Sequence, residues 1–236
     1  MTLDRQISIP WIRNENDFPS ISSALTNPNG LLAAGGQLND RYLLSAYKRG
    51  IFPWYSQNEP ILWWSPDPRM VMYPEKLKVS RSLGKLWRQK RFRISVDKNF
   101  SAVINSCQRR KQPSEKTWIT QEMLEAYVEL HRKGYAHSFE VWESDILIGG
   151  LYGVAIGKIF FGESMFSFKP NASKLALIAL TQQLKAKNFE LIDCQVSSDH
   201  LSRMGGVEIS RPKFALWLSR LVNYKTCRDL WNYSDV

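Results

Sequence analysis

The sequence is poor in the residues that build disulfide frameworks and metal sites. Its 236 residues include only three cysteines, Cys107, Cys194 and Cys227, and none of them belongs to a CxxC pair. An odd number of widely spaced cysteines argues against structural disulfides and against a thiolate metal site. The three histidines show neither HxH nor HExxH spacing. We therefore expect no bound metal.

Long apolar runs are missing as well. The N-terminal stretch MTLDRQISIPWIRNEND has no apolar core like that of a signal peptide. The longest apolar stretch, Ile146 to Ile156, is too short and too rich in glycine to span a bilayer. These absences argue against a membrane partner. We expect a cytoplasmic protein that acts as a monomer.

Signatures of nucleotide cofactors and of covalent catalysis are also absent. There is no P-loop, no GxGxxG fingerprint and no GxSxG nucleophile elbow. An N-acetyltransferase that uses acyl-coenzyme A would need a glycine-rich pyrophosphate loop at the start of a helix. The segment before the corresponding helix here is FKPNAS (168–173), which contains a proline and no glycine. We therefore expect no organic cofactor, and this alternative function is disfavoured.

The charge balance is strongly basic. Thirty-two Lys and Arg residues against 22 Asp and Glu residues give a formal net charge of +10. Such an excess favours a polyanionic partner, although a scattered basic surface would fit equally well. The excess is concentrated in one stretch, because no acidic residue occurs between Glu75 and Asp97. Arg81, Lys85 and Arg88 recur there at the spacing of one helix face, which predicts a phosphate-binding surface.

Composition also changes along the chain. Residues 1–70 hold seven of the eleven prolines and only one clear helix, over 41–49. From about residue 79 the pattern becomes regular. Helices are predicted over 79–90, 99–110, 120–133, 171–187, 197–204 and from 212, and strands over 92–96, 136–143, 146–156, 158–163, 190–196 and 207–210. This order indicates an α/β (α+β) fold with a mixed, mostly antiparallel sheet covered by helices.

Two predicted strands carry candidate functional side chains. Asp193 and Gln195 alternate with Cys194 at the end of an apolar strand, so they are predicted to share a face where α/β sheets bind ligands. A solvated sheet edge or a helix cap would also explain this pair. Glu163 follows the aromatic strand that contains Phe160 and precedes Met165. That segment fits either an apolar pocket with one polar group or plain core with a surface glutamate.

Several stretches resemble the bacterial leucyl/phenylalanyl-tRNA–protein transferases. They are PNGLLAAGG (28–36), AYKRGIFPWYS (46–56), PILWWSPDPRMV (60–71), VSRSL (79–83), TWIT (117–120), GYAHSFEVW (134–142), GGLYGV (149–154), FGESMFS (161–167), NASK (171–174) and IDCQ (192–195). They follow one another in the family's order over nearly the whole chain. WWSPDPR, GESMFS and IDCQ are long and rare, so a chance match of all three together is not expected.

The resemblance implies both an architecture and an activity. The architecture is a small N-terminal domain, residues 1–70, followed by an acetyltransferase-like domain, residues 71–236, similar to one domain of the peptidoglycan-building Fem transferases. The activity is transfer of leucine or phenylalanine, and less readily methionine, from aminoacyl-tRNA to proteins that begin with Lys or Arg. The modified proteins would then be degraded through the N-end rule pathway.

The chemistry of this transfer suits the candidate residues. An aminoacyl ester is already activated, so the enzyme must only hold ester and amine together, assist proton loss and stabilise an oxyanion. Asp193 is predicted to orient and help deprotonate the amine, and Gln195 to contact the carbonyl oxygen or relay the proton. Glu163 would hold the donor amino group or attract the basic acceptor side chain. The aminoacyl pocket is predicted to contain Trp54, Trp118, Phe160 and Met165, and the tRNA surface Arg81, Lys85 and Arg88.

A function from another class remains open on these patterns. A non-catalytic tRNA-binding protein could use the same basic helix face. It would have no need for Asp193 and Gln195 paired at the end of a strand.

Overall fold

Two β-sheets organise the chain. The computed structural model describes residues 9–109, 119–226 and 231. The first sheet has four short strands, in the order β1-β2-β4-β3, with bounds β1 Trp11–Ile12, β2 Leu31–Gly35, β3 Phe52–Pro53 and β4 Leu62–Trp64. Helix α1, Asp40–Lys48, lies between β2 and β3. The side chain of Asn39 caps it by accepting the N–H of Tyr42, as the sequence suggests.

The second sheet has seven strands in the order β11-β5-β10-β9-β8-β7-β6. Their bounds are β5 Arg69–Met72, β6 Arg93–Val96, β7 Ala136–Glu143, β8 Ile146–Ile156, β9 Ile159–Ser167, β10 Leu191–Gln195 and β11 Val207–Ile209. Only β9 and β10 run parallel, and all other neighbours are antiparallel. The predicted mixed, mostly antiparallel sheet is therefore confirmed.

Helices cover both faces of the large sheet. They are α2 Arg81–Arg88, α3 Phe100–Gln108, α4 Gln121–Arg132, α5 Ala172–Ala186, α6 Asp199–Arg203 and α7 Arg211–Leu221. Alternate strand residues face opposite sides: Phe161 packs with α3, α4, α7 and the small sheet, whereas Phe160 packs with α2 and α5. Because the first of these cores also contains Trp63 of β4, the two sheets share one hydrophobic cluster.

Two local features differ from the sequence-based expectations, and a third observation concerns the predicted domain boundary. The strand predicted over 158–163 extends to Ser167, because its pairing with β8 continues that far. The helix predicted over 171–187 begins one residue later, at Ala172, because Asn171 has left-handed backbone geometry. The hydroxyl of Ser167, rather than the side chain of Asn171, accepts the N–H of Ser173. Strand β5 begins at Arg69, next to the predicted domain boundary after residue 70. That boundary stays a prediction.

The space around two glycines predicts how each responds to substitution by alanine. A Cβ atom at Gly149 of β8 would lie 2.4 Å from the Cβ of Ala172, so Gly149→Ala should lower the free energy of unfolding by about 1–3 kcal/mol. At Gly84 in α2 the nearest atom would be Arg88 Nη1 at 3.4 Å. Gly84→Ala should therefore raise stability by roughly 0.5–1 kcal/mol. Urea unfolding measures both, and parental stability of Gly149→Ala would contradict the close contact.

Candidate active site

Two β-bulges shape the region where β9 and β10 meet. The parallel ladder between these strands ends at the pair Phe161–Asp193. In β9, Tyr152 pairs with Ser164 and Gly153 with Gly162, so Glu163 is the extra residue of a bulge. In β10 the register shifts between Asp193 and Gln195. Bulges redirect side chains and are common beside active sites.

The bulge in β10 bears on one sequence-based prediction. Strict alternation would place Asp193 and Gln195 on one face and Cys194 on the other. At the bulge, Gln195 adopts a positive φ of 60°, and Cys194 and Gln195 line the same two cavities. The contacts still differ: Gln195 bonds to Glu163, whereas Cys194 packs against the hydrophobic cluster that contains Phe160. The shared face of Asp193 and Gln195 therefore stays a prediction.

Asp193 lies behind the cavities rather than in them. It is fully buried, and its carboxylate accepts two hydrogen bonds from Arg69, at 2.8 Å from Nε and 2.7 Å from Nη2. Its Oδ1 also accepts the N–H of Gln195 at 3.0 Å. The guanidinium of Arg69 lies between the rings of Phe52 and Phe214, 4.9 and 4.6 Å from their centroids. Asp193 is therefore not among the residues that line either cavity.

Sequence analysis did not assign a role to Arg69. A signal was available, because a carboxylate in an apolar strand needs a cationic partner if it is buried. Arg69 ends the rare string WWSPDPR and was a natural candidate for that partner.

Glu163 is the polar centre of the site. Its Oε1 accepts a hydrogen bond from Gln195 Nε2 at 2.9 Å, and its Oε2 accepts one from the hydroxyl of Tyr127 at 2.8 Å. The hydroxyl of Tyr47 lies 2.5 Å from that of Tyr127. Burial raises the pKa of Glu163 to about 7, with Asp193 adding to the rise and the hydrogen bonds opposing it. Glu163 is therefore poised to exchange a proton near neutral pH.

The two tyrosines were not found from sequence. Tyr47 lies in α1 and Tyr127 in α4, where both fit the apolar face of an amphipathic helix. That pattern is typical of core residues. Only the fold brings their hydroxyls to Glu163, so no local signal identified them.

Two adjoining cavities open onto this centre and share Glu163, Cys194 and Gln195. The first has a volume of about 280 Å³ and is otherwise lined by Phe52, Pro53, Trp54 and Val196. The second has a volume of about 300 Å³ and is mainly apolar, with Leu151, Tyr152, Phe160, Met165, Leu177, Leu180 and Ile192 among its lining residues. A carboxyl–amide pair therefore stands where two largely apolar cavities meet.

The predicted aminoacyl pocket is divided between these cavities. Phe160 and Met165 are five residues apart, so regular pleating would place them on opposite faces. The bulge at Glu163 returns Met165 to the face of Phe160, and both line the second cavity. Trp54 lines the first cavity instead and is 44% exposed. Trp118 lies outside the described residues.

The predicted tRNA surface lies on α2. Arg81, Lys85 and Arg88 are all exposed, while Leu83 of the same helix is buried. This arrangement agrees with a basic face opposite an apolar one. Within the described residues, no cluster of three or more His, Cys, Asp or Glu side chains is arranged to hold a metal ion. No helix of the described chain is long and apolar enough to cross a membrane.

These features define an α/β protein whose candidate site combines a carboxyl and an amide. Among solved structures, the chain is similar to a GCN5-related N-acetyltransferase from Kribbella flavida (TM-score 0.39, 11% identity, 70% of this chain and 59% of that one). It is also similar to L-PGS from Bacillus licheniformis (TM-score 0.39, 12% identity, 71% of this chain and 54% of that one).

Sequence comparison then gives the family. The family model described as leucyl/phenylalanyl-tRNA protein transferase matches residues 71–219, and the model of its N-terminal domain matches residues 36–67. Leucyl/phenylalanyl-tRNA–protein transferases of two bacteria illustrate the similarity. That of Pseudomonas fluorescens (strain Pf0-1) is 53% identical over 90% of this chain and 94% of its own. That of Chromobacterium violaceum is 50% identical over 95% and 97%. The chain belongs to this family, which makes it an aminoacyltransferase.

The raised pKa of Glu163 predicts a pH-dependent stability. The folded protein keeps the proton of Glu163 up to about pH 7, against a reference pKa of 4.5. Between these values the folded state binds more protons than the unfolded state, so stability falls as the pH rises. Relative to Glu163→Gln, the parent should lose up to about 3 kcal/mol across this window. Urea titrations at several pH values test this, and parallel pH profiles of parent and variant would refute it.

Proposed function

We propose that this protein transfers leucine or phenylalanine, and less readily methionine, from aminoacyl-tRNA to the α-amino group of proteins with N-terminal Lys or Arg. The products are thereby marked for degradation through the N-end rule pathway. One observation carries the proposal: two largely apolar cavities meet at Glu163 and Gln195. Two substrates can meet at such a junction, one from each side.

The second cavity suits the donor side chain. Its walls are leucine, isoleucine, phenylalanine and methionine side chains, and its volume of about 300 Å³ is sufficient for one large apolar side chain. Glu163 and Gln195 lie at the end shared with the first cavity, and the lining also includes the polar residues Ser164, Ser198 and His200. A donor held there would place its amino and carbonyl groups toward these polar atoms.

The first cavity suits the end of the tRNA and the incoming acceptor. The half-exposed indole of Trp54 forms part of its wall and offers a stacking surface for the terminal adenine. Its opening admits the N-terminus of a protein. The exposed face of α2, with Arg81, Lys85 and Arg88, supplies phosphate contacts that hold the tRNA body.

Aminolysis of the ester needs few protein groups. The acceptor nitrogen attacks the ester carbonyl, a tetrahedral intermediate forms, and the ribose oxygen leaves with a proton. Gln195 contacts the amine or the developing oxyanion, because its amide has both a donor and an acceptor. Glu163, with a pKa of about 7, takes up the proton that the amine loses and returns it to the departing ribose oxygen. No covalent intermediate, metal or organic cofactor enters this scheme.

Asp193 is a positioning residue in this scheme. Its carboxylate is engaged by Arg69 and by the backbone of Gln195, so its effect on the amine passes through Gln195. This role replaces the direct contact that the strand pattern suggested. Loss of Asp193 would leave Arg69 buried without a counter-ion, which costs about 3–5 kcal/mol in comparable sites.

Transfer of label from radioactive leucyl-tRNA to a protein that begins with Arg tests the function directly. The parent should form hot-acid-stable labelled protein, and the same acceptor beginning with Ala should remain unlabelled. Gln195→Ala should lower kcat by roughly 10²-fold or more, because one positioned donor is lost. Gln37→Ala, at an exposed loop position before α1, serves as the control and should keep the parental rate. A parental rate for Gln195→Ala would remove Gln195 from the mechanism.

Donor selectivity tests the second cavity. Isoleucine equals leucine in volume, so burial alone cannot separate them, whereas β-branching restricts χ1 and crowds the polar end. We expect leucyl- and phenylalanyl-tRNA to be good donors, methionyl-tRNA intermediate, and isoleucyl- and valyl-tRNA poor. Met165→Ala should reduce the preference for leucine over isoleucine in a competition between equal concentrations of charged tRNAs. Equal incorporation of both amino acids by the parent would contradict the cavity assignment.

A further inference from the structure

A third cavity, distinct from the two at Glu163, lies between α2, β6 and α5. Its volume of about 690 Å³ exceeds that of either cavity of the site. Four cationic residues line it, namely Arg88, Lys90, Arg91 and Arg93. The aromatic rings of Trp87 and Phe92 line it as well. Nothing in the proposed transfer mechanism uses this cavity.

Positive charge dominates the cavity. Among the described residues, none of those that line it is acidic. Within the described part of the chain, the side chains of Arg88 and Arg91 form no ion pair, and both are exposed. Arg93 pairs at 3.6 Å with Asp145, a fully exposed carboxylate. Concave surfaces with unneutralised cations concentrate anions, so the ligand should carry negative charge.

The aromatic side chains narrow the class of anion. Trp87 and Phe92 are partly buried and pack against the core on the α5 side of the sheet. A simple phosphate would gain nothing from such rings. A nucleotide would use both features, because its base stacks on an aromatic ring while its phosphate contacts arginine.

The position of the cavity connects it to the proposed tRNA path. Arg88 belongs both to the cavity wall and to the exposed face of α2. Helix α5 contributes to both cavities. Its residues Leu175 and Gln182 line this cavity, whereas Leu177 and Leu180 line the second cavity of the site. At 3.6 residues per turn these pairs face opposite sides of the helix. The two cavities are therefore separated by about one helix diameter, roughly 10–12 Å.

We propose that this cavity binds one nucleotide of the donor tRNA upstream of its 3′-terminal adenosine. The base stacks on Trp87, and the adjoining phosphates contact Arg88 and Arg91. This inference rests on the proposed function for its choice of tRNA as the source of the nucleotide. It adds a second anchoring point for the tRNA, beyond the aminoacylated end and the exposed face of α2.

Binding of uncharged tRNA to four variants is the first test. Trp87→Leu should raise Kd by roughly 5- to 100-fold, and Trp87→Phe, which keeps a ring, should restore most of the affinity. Arg91→Gln should reduce the steepness of the slope of log K against log salt concentration by about 0.7–0.9, because one phosphate contact is lost. Lys48→Gln, the same charge change on α1, should leave the slope unchanged. Thermal unfolding checks that each variant is folded.

Comparison of a short and a full-length aminoacyl donor shows whether the variants impair tRNA binding or the catalytic centre. Aminoacyl-adenosine contains only the terminal nucleoside, so Trp87→Leu and Arg91→Gln should use it at the parental rate. The same variants should show a raised KM with full-length aminoacyl-tRNA. Equal losses with both donors would show that the cavity acts on the catalytic centre, and would overturn the proposal. Parental tRNA affinity in Trp87→Leu together with a parental salt slope in Arg91→Gln would overturn it too.

The alternative ligand for this cavity is a free nucleotide, which offers the same base and phosphate groups. If adenosine monophosphate binds in a Trp87-dependent manner while tRNA affinity does not depend on Trp87, the cavity serves a free ligand and the proposal is wrong. If the parent transfers no amino acid from either donor, the proposed function fails. The tRNA-binding measurements would still decide whether the cavity holds a tRNA nucleotide.

Discussion

The geometry of the site depends on the buried ion pair between Arg69 and Asp193. Such a pair adds little net stability, because the cost of desolvating both charges offsets their attraction. The role of the ion pair in this site is to fix the position of β10. Asp193 accepts two hydrogen bonds from Arg69 and a third from the N–H of Gln195, so β10 is held where it leaves the regular pleat. The positive φ of Gln195, unfavourable for a residue with a side chain, persists because these contacts hold it.

The bulge at Glu163 has two consequences that belong together. It keeps the carboxyl on the side of the sheet where Tyr47 and Tyr127 lie, and it turns Met165 to the opposite side, next to Phe160. Because of this one extra residue, β9 carries a polar centre on one side and part of an apolar cavity wall on the other. Since Tyr47 comes from α1 between the strands of the small sheet, the first part of the chain contributes to the electrostatics of Glu163.

Regular elements could be predicted from the sequence, and irregular ones could not. Strands 136–143 and 146–156 match the structure residue for residue, since period-two alternation and turn residues define them. Glu163, Gln195, Phe160 and Met165 were predicted as site residues, and they line the second cavity, but their grouping depends on bulges that no local pattern reveals. Arg69, Tyr47 and Tyr127 were missed because each resembles a core or structural residue until the fold brings it to a carboxylate. The role of Trp118 stays a prediction.

The reaction explains why so few side chains suffice. An aminoacyl ester already contains the energy needed for peptide-bond formation, so the main task is to hold two substrates in a reactive geometry, a contribution of about 7–11 kcal/mol in favourable cases. Precise placement demands rigid support. The buried ion pair and the two bulges supply that support at the strand ends, while in the proposed mechanism the tRNA is anchored by residues some distance away. Because a long substrate can be positioned through many weak contacts, this mechanism asks only the carboxyl of Glu163 and the amide of Gln195 to act at the reacting centre.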